Sequence, residues 1–407
     1  MKTKLLTTAA GLAAMIAAAP VAAAQDGLPG DILVDMRTRY ENVSQTGKLS
    51  ADAVTLRTRL GWQSPEWNGI TFLGEIENVV PLDGDDDYNS GLNGLSQYAS
   101  IKDGEFTELN RLQVGFSPVA HVSVSLGRQY LQFDDGRFVG SAGHRQDKNS
   151  HDAIQIDWAD GAFEASYVYH DRINRGPGDD SDWDSDSHLF HAGYAVSDAL
   201  ALSGFLYLID ITEPGAVDRS NSTWGGRVTG ERQYGDLAVD YAVLYARQSD
   251  YGSATTHFDL GYFAGDLAFS RGGGELAFGY DVIEGNGSTG FSNPIGKNHG
   301  VLGWADVFSG GGRQGTVDGV EDFNVMLSWG RDWESGFVRG FSTGVRHHDF
   351  EAERTGADLG NEWDAFVEFT FPEGLSLAWE MADYDGPDVA PAPADVSRNW
   401  VILSYRR

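Results

Sequence analysis

The chain has 407 residues, a formal net charge of -31, no cysteine and 41% hydrophobic residues. The excess of acidic residues argues against a nucleic acid partner, because an acidic surface repels phosphate groups. The lack of cysteine excludes a disulfide framework, and the apolar content argues against a disordered chain.

The N-terminal segment has the features of a secretory signal. Lys2 and Lys4 precede an Ala- and Leu-rich run that ends in three alanines at 22–24. A basic region, an apolar core and a small-residue cleavage site in this order predict a cleaved signal peptide over residues 1–24. After it, no apolar run approaches the ~20 residues that a spanning helix needs. We therefore predict an exported protein with a single folded domain over 25–407.

Most of this domain consists of segments in which apolar and polar side chains alternate. Every second residue is mostly apolar in the segments 54–62, 237–245, 276–282, 363–371 and 375–381. The intervening positions are mostly small, polar or charged. A period of two predicts β-strands with one apolar and one polar face. In an outer-membrane barrel the apolar face contacts lipid and the polar face lines the interior.

The connections between these segments alternate between short and long. Tight turns such as Ser64-Pro65 and Asp160-Gly161 separate longer stretches rich in Gly, Asp and Asn, such as 80–105 and 285–319. A soluble β-sandwich, β-helix or propeller also has alternating strands, but it does not predict this regular alternation of connections. Aromatic residues near strand ends fit the interfacial girdles of a barrel: Trp62, Trp67, Tyr130, Trp158, Trp329, Trp333 and Trp400.

We therefore predict an all-β fold, a transmembrane antiparallel up-and-down β-barrel. The segments number about 18, although 16 strands also fit the pattern. The short turns are expected on the periplasmic side together with both termini, and the long loops outside the cell.

Charged residues on the polar face of the first four strands form the main candidate site. They are Arg37, Arg39, Arg57, Arg59, Glu75, Glu77 and Arg111. Guanidinium groups bind carboxylates bidentately, so a row of inward arginines is able to pass an anionic solute from site to site. The alternative is a structural network in which Arg and Glu on neighbouring strands neutralise one another.

The segment 126–154 is the richest in polar side chains. Arg128 shares the parity of the apolar residues before it, which predicts a bulge or a strand end at this position. The loop that follows is long enough to fold into the barrel and to place Arg128, Arg137 and Arg145 at the narrowest point. The alternative is a loop fixed to the wall by salt bridges to Asp134 and Asp135.

Other patterns carry no specific chemistry. The acidic stretches 83–87 and 179–188 lack the spacing of a calcium loop and are predicted to be solvated external surface. The pattern GNGSTG at 285–290 is not followed by a helix start, and His347-His348 is predicted to be a pair within the wall. No nucleophile motif is present, so we predict no enzyme activity, no cofactor and no metal site.

The chain resembles the alginate-export family of bacterial outer-membrane porins. The similar segments, in family order, include RYENV, LRTRLGW, GEIENV, LGRQ, DDGRFVG, YVYHDRINR, GYDVIEG, LGWADVF and the closing WVILSYRR. The resemblance implies a monomeric barrel of about eighteen strands with an arginine-rich conduit for an anionic, uronate-like polymer or its fragments. The arginines carried over by matching segments include Arg172 and Arg175 as well as those named above.

Together these observations predict an outer-membrane channel of a Gram-negative cell. It is expected to pass anionic, sugar-derived (uronate-like, alginate-type) solutes through an arginine-lined pore, with the loops 126–149 and 285–319 narrowing the pore. Its expected partners are outer-membrane lipid and an anionic oligo- or polysaccharide or another small hydrophilic solute. The alternatives are a general diffusion porin, cation-preferring because of its acids, and a barrel whose acidic loops bind other surfaces.

Overall fold

The computed structural model describes residues 29–141, 143–197, 199–387 and 392–407. The predicted signal peptide at 1–24 lies outside the described residues. Within them, helical structure is limited to the single 3-10 turns Asp179–Ser181, Val217–Arg219 and Pro372–Gly374. No described helix is long and apolar enough to cross a membrane.

Eighteen antiparallel strands form one closed sheet. In the first half of the chain they are β1 (Asp31–Gln45), β2 (Ala51–Gln63), β3 (Ile70–Pro81), β4 (Phe106–Val119), β5 (Val122–Gln129), β6 (Ser150–Asp160), β7 (Phe163–Asn174), β8 (Trp183–Ser197), β9 (Leu200–Ile209) and β10 (Asn221–Tyr234). In the second half they are β11 (Leu237–Asp250), β12 (Asp259–Arg271), β13 (Gly274–Ile283), β17 (Val320–Asp332), β18 (Gly340–Glu351), β19 (Asp358–Thr370), β20 (Leu375–Asp385) and β21 (Val396–Arg406).

The sheet closes because β1 pairs with both β2 and β21. Each of the other strands pairs with its neighbours in the chain, except that β13 pairs with β17 across a long connection. Three two-residue strands inside this connection form a separate small sheet: β14 (Phe291–Ser292), β15 (Ser309–Gly310) and β16 (Arg313–Gln314). The predicted up-and-down barrel with eighteen strands is confirmed.

The two ends of the barrel differ in their connections. One end, the turn end, carries short connections such as 120–121, 161–162 and 235–236, and both terminal strands begin or finish there. The other end, the loop end, carries the connections 82–105, 130–149 and 284–319. The sequence predicted that each connection at the loop end is longer than its neighbours at the turn end. This is wrong for the first two connections, since 46–50 at the loop end is shorter than 64–69 at the turn end.

The predicted two-sided strands are confirmed. Apolar side chains on the outward parity are exposed on the outer surface of the barrel, as at Leu60, Val243, Leu327 and Trp363. Residues of the opposite parity, such as Arg57 and Glu362, are buried inside. Exposed apolar side chains on the outside of a closed sheet are the arrangement that lipid contact requires.

Two of the aromatic residues predicted for the girdles lie inside the barrel. Trp400 is only 2% exposed, because it pairs with the inward residues Glu41 and Glu380. Tyr130 accepts a hydrogen bond from the buried Asn110 amide and lies under the Arg111 guanidinium. Trp67 remains on the outer surface at the turn end, with 69% of its area exposed.

Candidate functional site

Two long loops fold into the barrel and contact each other. The amide of Gly140 in the loop 130–149 donates a hydrogen bond of 2.9 Å to the carbonyl of Ile295 in the loop 284–319. The amide of Lys297 donates another, also of 2.9 Å, to the carbonyl of Gly136. Both loops contact inward-facing wall residues, so they narrow the interior as the sequence predicts.

A cavity lies where these loops meet the connections after β3 and β7. We call it the constriction, and its lining includes Lys102, His144, Arg145, Arg175, His299 and Asp306. The imidazole rings of His144 and His299 stack with their centroids 3.6 Å apart, and the indole of Trp400 packs edge-on against His144. The stacked rings join the two loops at one wall of the cavity.

The constriction contains cations without carboxylate partners. Among the described residues, neither Lys102 nor Arg145 has an acidic oxygen within 4.0 Å. The side chain of Arg175 donates a hydrogen bond of 3.3 Å to the carbonyl of Ser181 and lies 3.5 Å above the ring of Trp183. Three positive groups therefore face the cavity without a salt bridge to any described carboxylate.

The charges at the constriction act on one another. Burial, together with the positive charges of Arg145, Arg175 and Arg398, lowers the pKa of Lys102. Burial and the charge of Arg145 lower the pKa of Arg175 to about 10, so Arg175 stays protonated at neutral pH. This mutual repulsion means that an anion entering the cavity would be stabilised by several cations at once.

One acid and two histidines complete the lining. Burial would raise the pKa of Asp306, but His299 and Arg145 hold it below its usual value, and Asp306 lies 3.1 Å from Nδ1 of His299. Burial, with His299 and Arg39, holds the pKa of His144 well below its usual range, so this imidazole is neutral. The constriction thus offers positive charge, an uncharged ring and a single acid.

The predicted arginine ladder, Arg37, Arg39, Arg57 and Arg59, faces inward but lies beneath the loop segment 143–147. Arg37 donates hydrogen bonds to Oε1 of Gln146 (2.8 Å), to the carbonyl of Gly143 (2.9 Å) and to the carbonyl of Arg145. Arg39 donates to the carbonyl of His144 at 2.8 Å. These four residues are at most 9% exposed while the loop is in place, although Arg39 also lines a cavity beside the constriction.

Acidic residues pair with the rest of the ladder. Arg57 bonds to Asp35, and Arg59 bonds to Glu77. Arg111 binds Glu75 with two hydrogen bonds, of 3.0 and 2.8 Å. Cross-strand pairing of this kind is the structural alternative that the sequence left open, and it accounts for these residues without a solute.

Arg137 holds its loop against the wall. Its guanidinium bonds to Asp281 on β13, donates to the Tyr262 hydroxyl at 2.8 Å and lies 3.5 Å from Asp135. The salt bridge expected with Asp135 is therefore present, whereas Asp134 instead contacts His191 at 3.1 Å. Arg137 is an anchor of the loop and does not line the constriction.

The prediction that Arg128 and Arg172 line the pore is wrong. Arg128 belongs to the same face as the outward residues of β5, and its side chain bonds to Asp152 at 2.8 and 3.0 Å. β5 runs against β6 without an irregularity up to Gln129, so no bulge turns Arg128 inward. Arg172 pairs in register with Asp152 and bonds to Asp184 at 2.6 Å on the same outer face.

A second anchor fixes the loop 284–319, and the sequence did not indicate it. The carboxylate of Glu362 on β19 accepts hydrogen bonds from the amides of Trp304 (2.5 Å) and Ala305 (2.7 Å). Nearby on the wall, Nδ1 of His348 lies 2.8 Å from Asp322. Both histidines lie in the wall strand β18, as predicted, but His347 faces the other way and packs on Trp363.

Sequence reasoning missed the importance of Lys102, His299 and Asp306. Each lies in an irregular connection, where no periodicity fixes the direction of a side chain. Asp306 lies within LGWADVF, one of the segments that resemble alginate-export porins, which is the only signal that pointed to it.

No family model matches the chain, and no curated protein sequence matches it. Three solved structures from Pseudomonas aeruginosa illustrate what the chain is similar to. OpdK with vanillate gives a TM-score of 0.71 at 14% identity, over 94% of this chain and 100% of that one. OccK9 (OpdG) gives 0.69 at 14%, over 92% and 97%. OccK8 (OprE) gives 0.66 at 16%, over 94% and 99%.

At this level of identity the similarity shows the fold alone. The chain shares a closed eighteen-stranded antiparallel barrel with these structures over nearly its whole length. The specific resemblance to alginate-export porins has no support from these neighbours.

Proposed function

We propose that the protein is an outer-membrane channel that passes small solutes bearing carboxylate groups through the constriction. The observation that supports this most directly is the set of unpaired cations, Lys102, Arg145 and Arg175, around one cavity inside a closed barrel. The OccK and Opd barrels of the same fold are outer-membrane porins. The short turns and both termini are then periplasmic, and the long loops face outward.

The chemistry of the cavity favours a ring that carries a carboxylate. Arg145 and Arg175 supply donors that bind a carboxylate in the plane of the guanidinium. The stacked imidazoles of His144 and His299 supply a flat surface beside them, on which a sugar or aromatic ring would pack. Uronates, the units that the resemblance to alginate-export porins implies, have this form, and so does vanillate, with which OpdK was solved.

A second candidate is a general diffusion porin with a preference for cations. Between the constriction and the turn end, the inner wall carries Glu231, Asp240 and Asp266 beside Arg227 and Arg346. These acids, together with the net charge of -31, would attract cations in the wider part of the lumen. The charge at the narrowest point is expected to dominate selectivity, which is why we place the anionic solute first.

Ion selectivity in a planar bilayer tests this function. We expect a preference for chloride over potassium at pH 7 in a salt gradient. The triple variant Lys102→Gln, Arg145→Gln and Arg175→Gln should lose this preference while the channel still conducts. Arg172→Gln is the matched control, because Arg172 lies on the outer face and its substitution should leave selectivity unchanged.

Solute uptake separates the candidates further. Liposomes containing the protein should take up galacturonate and vanillate faster than glucose, and the triple variant should remove the difference. A wild-type channel that prefers cations would favour the general porin. A reconstituted barrel without conductance would favour the surface-binding alternative.

A further inference from the structure

Three carboxylates that do not line the constriction converge between the loop 130–149 and the wall. Glu77 on β3, Glu108 on β4 and Asp147 in the loop each place one oxygen within 4.8 Å of the other two. Glu77 and Glu108 are directly paired in the register of the two strands. Like charges opposite each other on one face of a sheet repel, so this arrangement requires compensation.

The described residues supply only part of that compensation. Arg59 bonds to Oε2 of Glu77, whereas the second oxygen, Oε1, is buried and has no hydrogen-bond partner. Asp147 accepts one bond of 3.3 Å from the amide of Gly178, and Glu108 has no partner among the described residues. A fully buried carboxylate oxygen without a partner next to two further carboxylates points to a missing positive ligand.

Other cations nearby are already engaged elsewhere. Arg57 bonds to Asp35, and Arg111 bonds to Glu75. The ammonium group of Lys148 lies 3.6 Å above the ring of Tyr130. Among the described residues, Arg59 is the only cation that forms a salt bridge with the cluster, and a divalent cation would neutralise further carboxylate charge.

We propose that Glu77, Glu108 and Asp147 form a calcium-binding site inside the barrel. Carboxylate oxygens are the ligands that hard cations prefer, and calcium accepts irregular sets of six to eight oxygens that include water. Glu108 is only partly buried, so the cluster is not fully closed off from solvent.

The site has a consequence for the channel because it joins the loop to two wall strands. Asp147 follows Arg145, a cation of the constriction, by two residues. A calcium ion held by Asp147 and by both β3 and β4 would fix this part of the loop, beside the hydrogen bonds from Arg37. The acidic external stretches 83–87 and 179–188 contribute no residue to a cluster of three possible ligands in the described parts of the chain.

Isothermal titration of the whole detergent-solubilised protein, after removal of metal with EDTA, tests the site. We expect one saturable calcium site in the wild type, weakened by ~tenfold or more in Glu108→Gln and in Asp147→Asn. Both variants keep the shape of the side chain and remove a repelling charge, so they should fold. Asp180→Asn, in an exposed acidic stretch, is the control and should bind calcium as the wild type does.

Thermal unfolding gives a second measurement. Calcium should raise the unfolding temperature of the wild type and of Asp180→Asn, but not that of Glu108→Gln or Asp147→Asn. Calcium binding that both cluster variants leave unchanged would overturn the proposal, as would a wild type without a saturable site. In either case the three carboxylates would be stabilised by protons.

Discussion

Arg37 on the first strand donates a hydrogen bond of 2.9 Å to the carbonyl of Gly143 in the loop that narrows the barrel. The same guanidinium also bonds to Gln146 and to the carbonyl of Arg145. One side chain of the wall thus satisfies three acceptors of a segment that has no regular secondary structure. The position of Arg145 at the constriction depends on this contact.

Replacing Arg37 should therefore loosen the loop. In Arg37→Gln the shorter side chain does not satisfy all three acceptors, so we expect a larger and noisier open-channel current than in the wild type. Single-channel recording in a planar bilayer measures both quantities. Arg271→Gln at the turn end, where Arg271 pairs with the exposed Asp236, serves as the control. A current indistinguishable from wild type in Arg37→Gln would show that other contacts hold the loop.

The position of the loop 284–319 depends on Glu362, and the rate of trypsin cleavage in this loop measures that dependence. Glu362→Ala removes the acceptor of the Trp304 and Ala305 amides, so we expect faster cleavage after Lys297 and Arg313. Each unsatisfied buried amide costs about 1–3 kcal/mol, which favours local opening. Glu362→Gln keeps an acceptor oxygen in place and should be cleaved nearly as slowly as the wild type. Mass spectrometry of the fragments measures both rates.

A substitution at Gly303 should also loosen the loop 284–319. It has a φ of 76°, and a Cβ there would lie 2.5 Å from the Glu362 carboxylate. Gly303→Ala should therefore displace the segment and increase cleavage as Glu362→Ala does. Slow cleavage in both variants would contradict the role of Glu362 as an anchor.

The wall of this barrel follows from local sequence patterns, whereas the constriction does not. Alternation with period two fixes which residues face outward, and turn residues fix where strands end, so the eighteen strands could be predicted. The same pattern was interpreted wrongly at Arg128, which was predicted to line the pore. Its parity with the outward residues of β5 was visible in the sequence; of the two features inferred to explain it, the bulge is absent, whereas the strand does end at the next residue, Gln129.

The contacts that decide which inward arginines reach a solute are distant in sequence. Arg37 and Gly143 are 106 residues apart, and the bond between them depends on the path of a long irregular loop. No pattern near Arg37 indicates that its guanidinium is covered, and none near Lys102 indicates that its ammonium group forms no salt bridge with a described residue. For Arg172, an extra residue at the register shift between His170 and Arg172 sets the direction of the side chain.

The anion preference of the channel should increase between pH 7 and pH 5 because of Asp182. Burial raises the pKa of this carboxyl to about 6, despite the hydrogen bond from the Arg175 amide, and Asp179 adds to the effect. Below pH 6 Asp182 is neutral, so the positive charge of Arg175 is less compensated. The positive charges of Arg128 and Arg172 oppose the rise of the pKa.

The raised pKa of Asp182 also makes the stability of the fold depend on pH. Asp182 binds its proton more tightly in the folded state than in the unfolded state, so its protonation stabilises the fold at low pH. This stabilisation is lost as the pH rises from about 4 to about 6. Reversal potentials of wild type and Asp182→Asn at pH 5 and pH 7 measure the effect on selectivity. The variant should show a smaller change with pH than the wild type. Equal changes in both proteins would assign the pH dependence to other groups.

Trp379 and Trp400 lie on adjacent strands at nearly the same depth but on opposite faces of the wall. Trp379 pairs with Val401 and is 39% exposed on the outer surface, whereas Trp400 is 2% exposed inside the barrel. In bilayers of brominated lipid, bromine quenches the fluorescence of tryptophans that contact acyl chains. Trp379→Phe should therefore reduce the quenched fraction of the emission, and Trp400→Phe should increase it, because an unquenched emitter is lost. Absence of quenching in the wild type, or the same change in both variants, would mean that the outer apolar surface does not contact lipid.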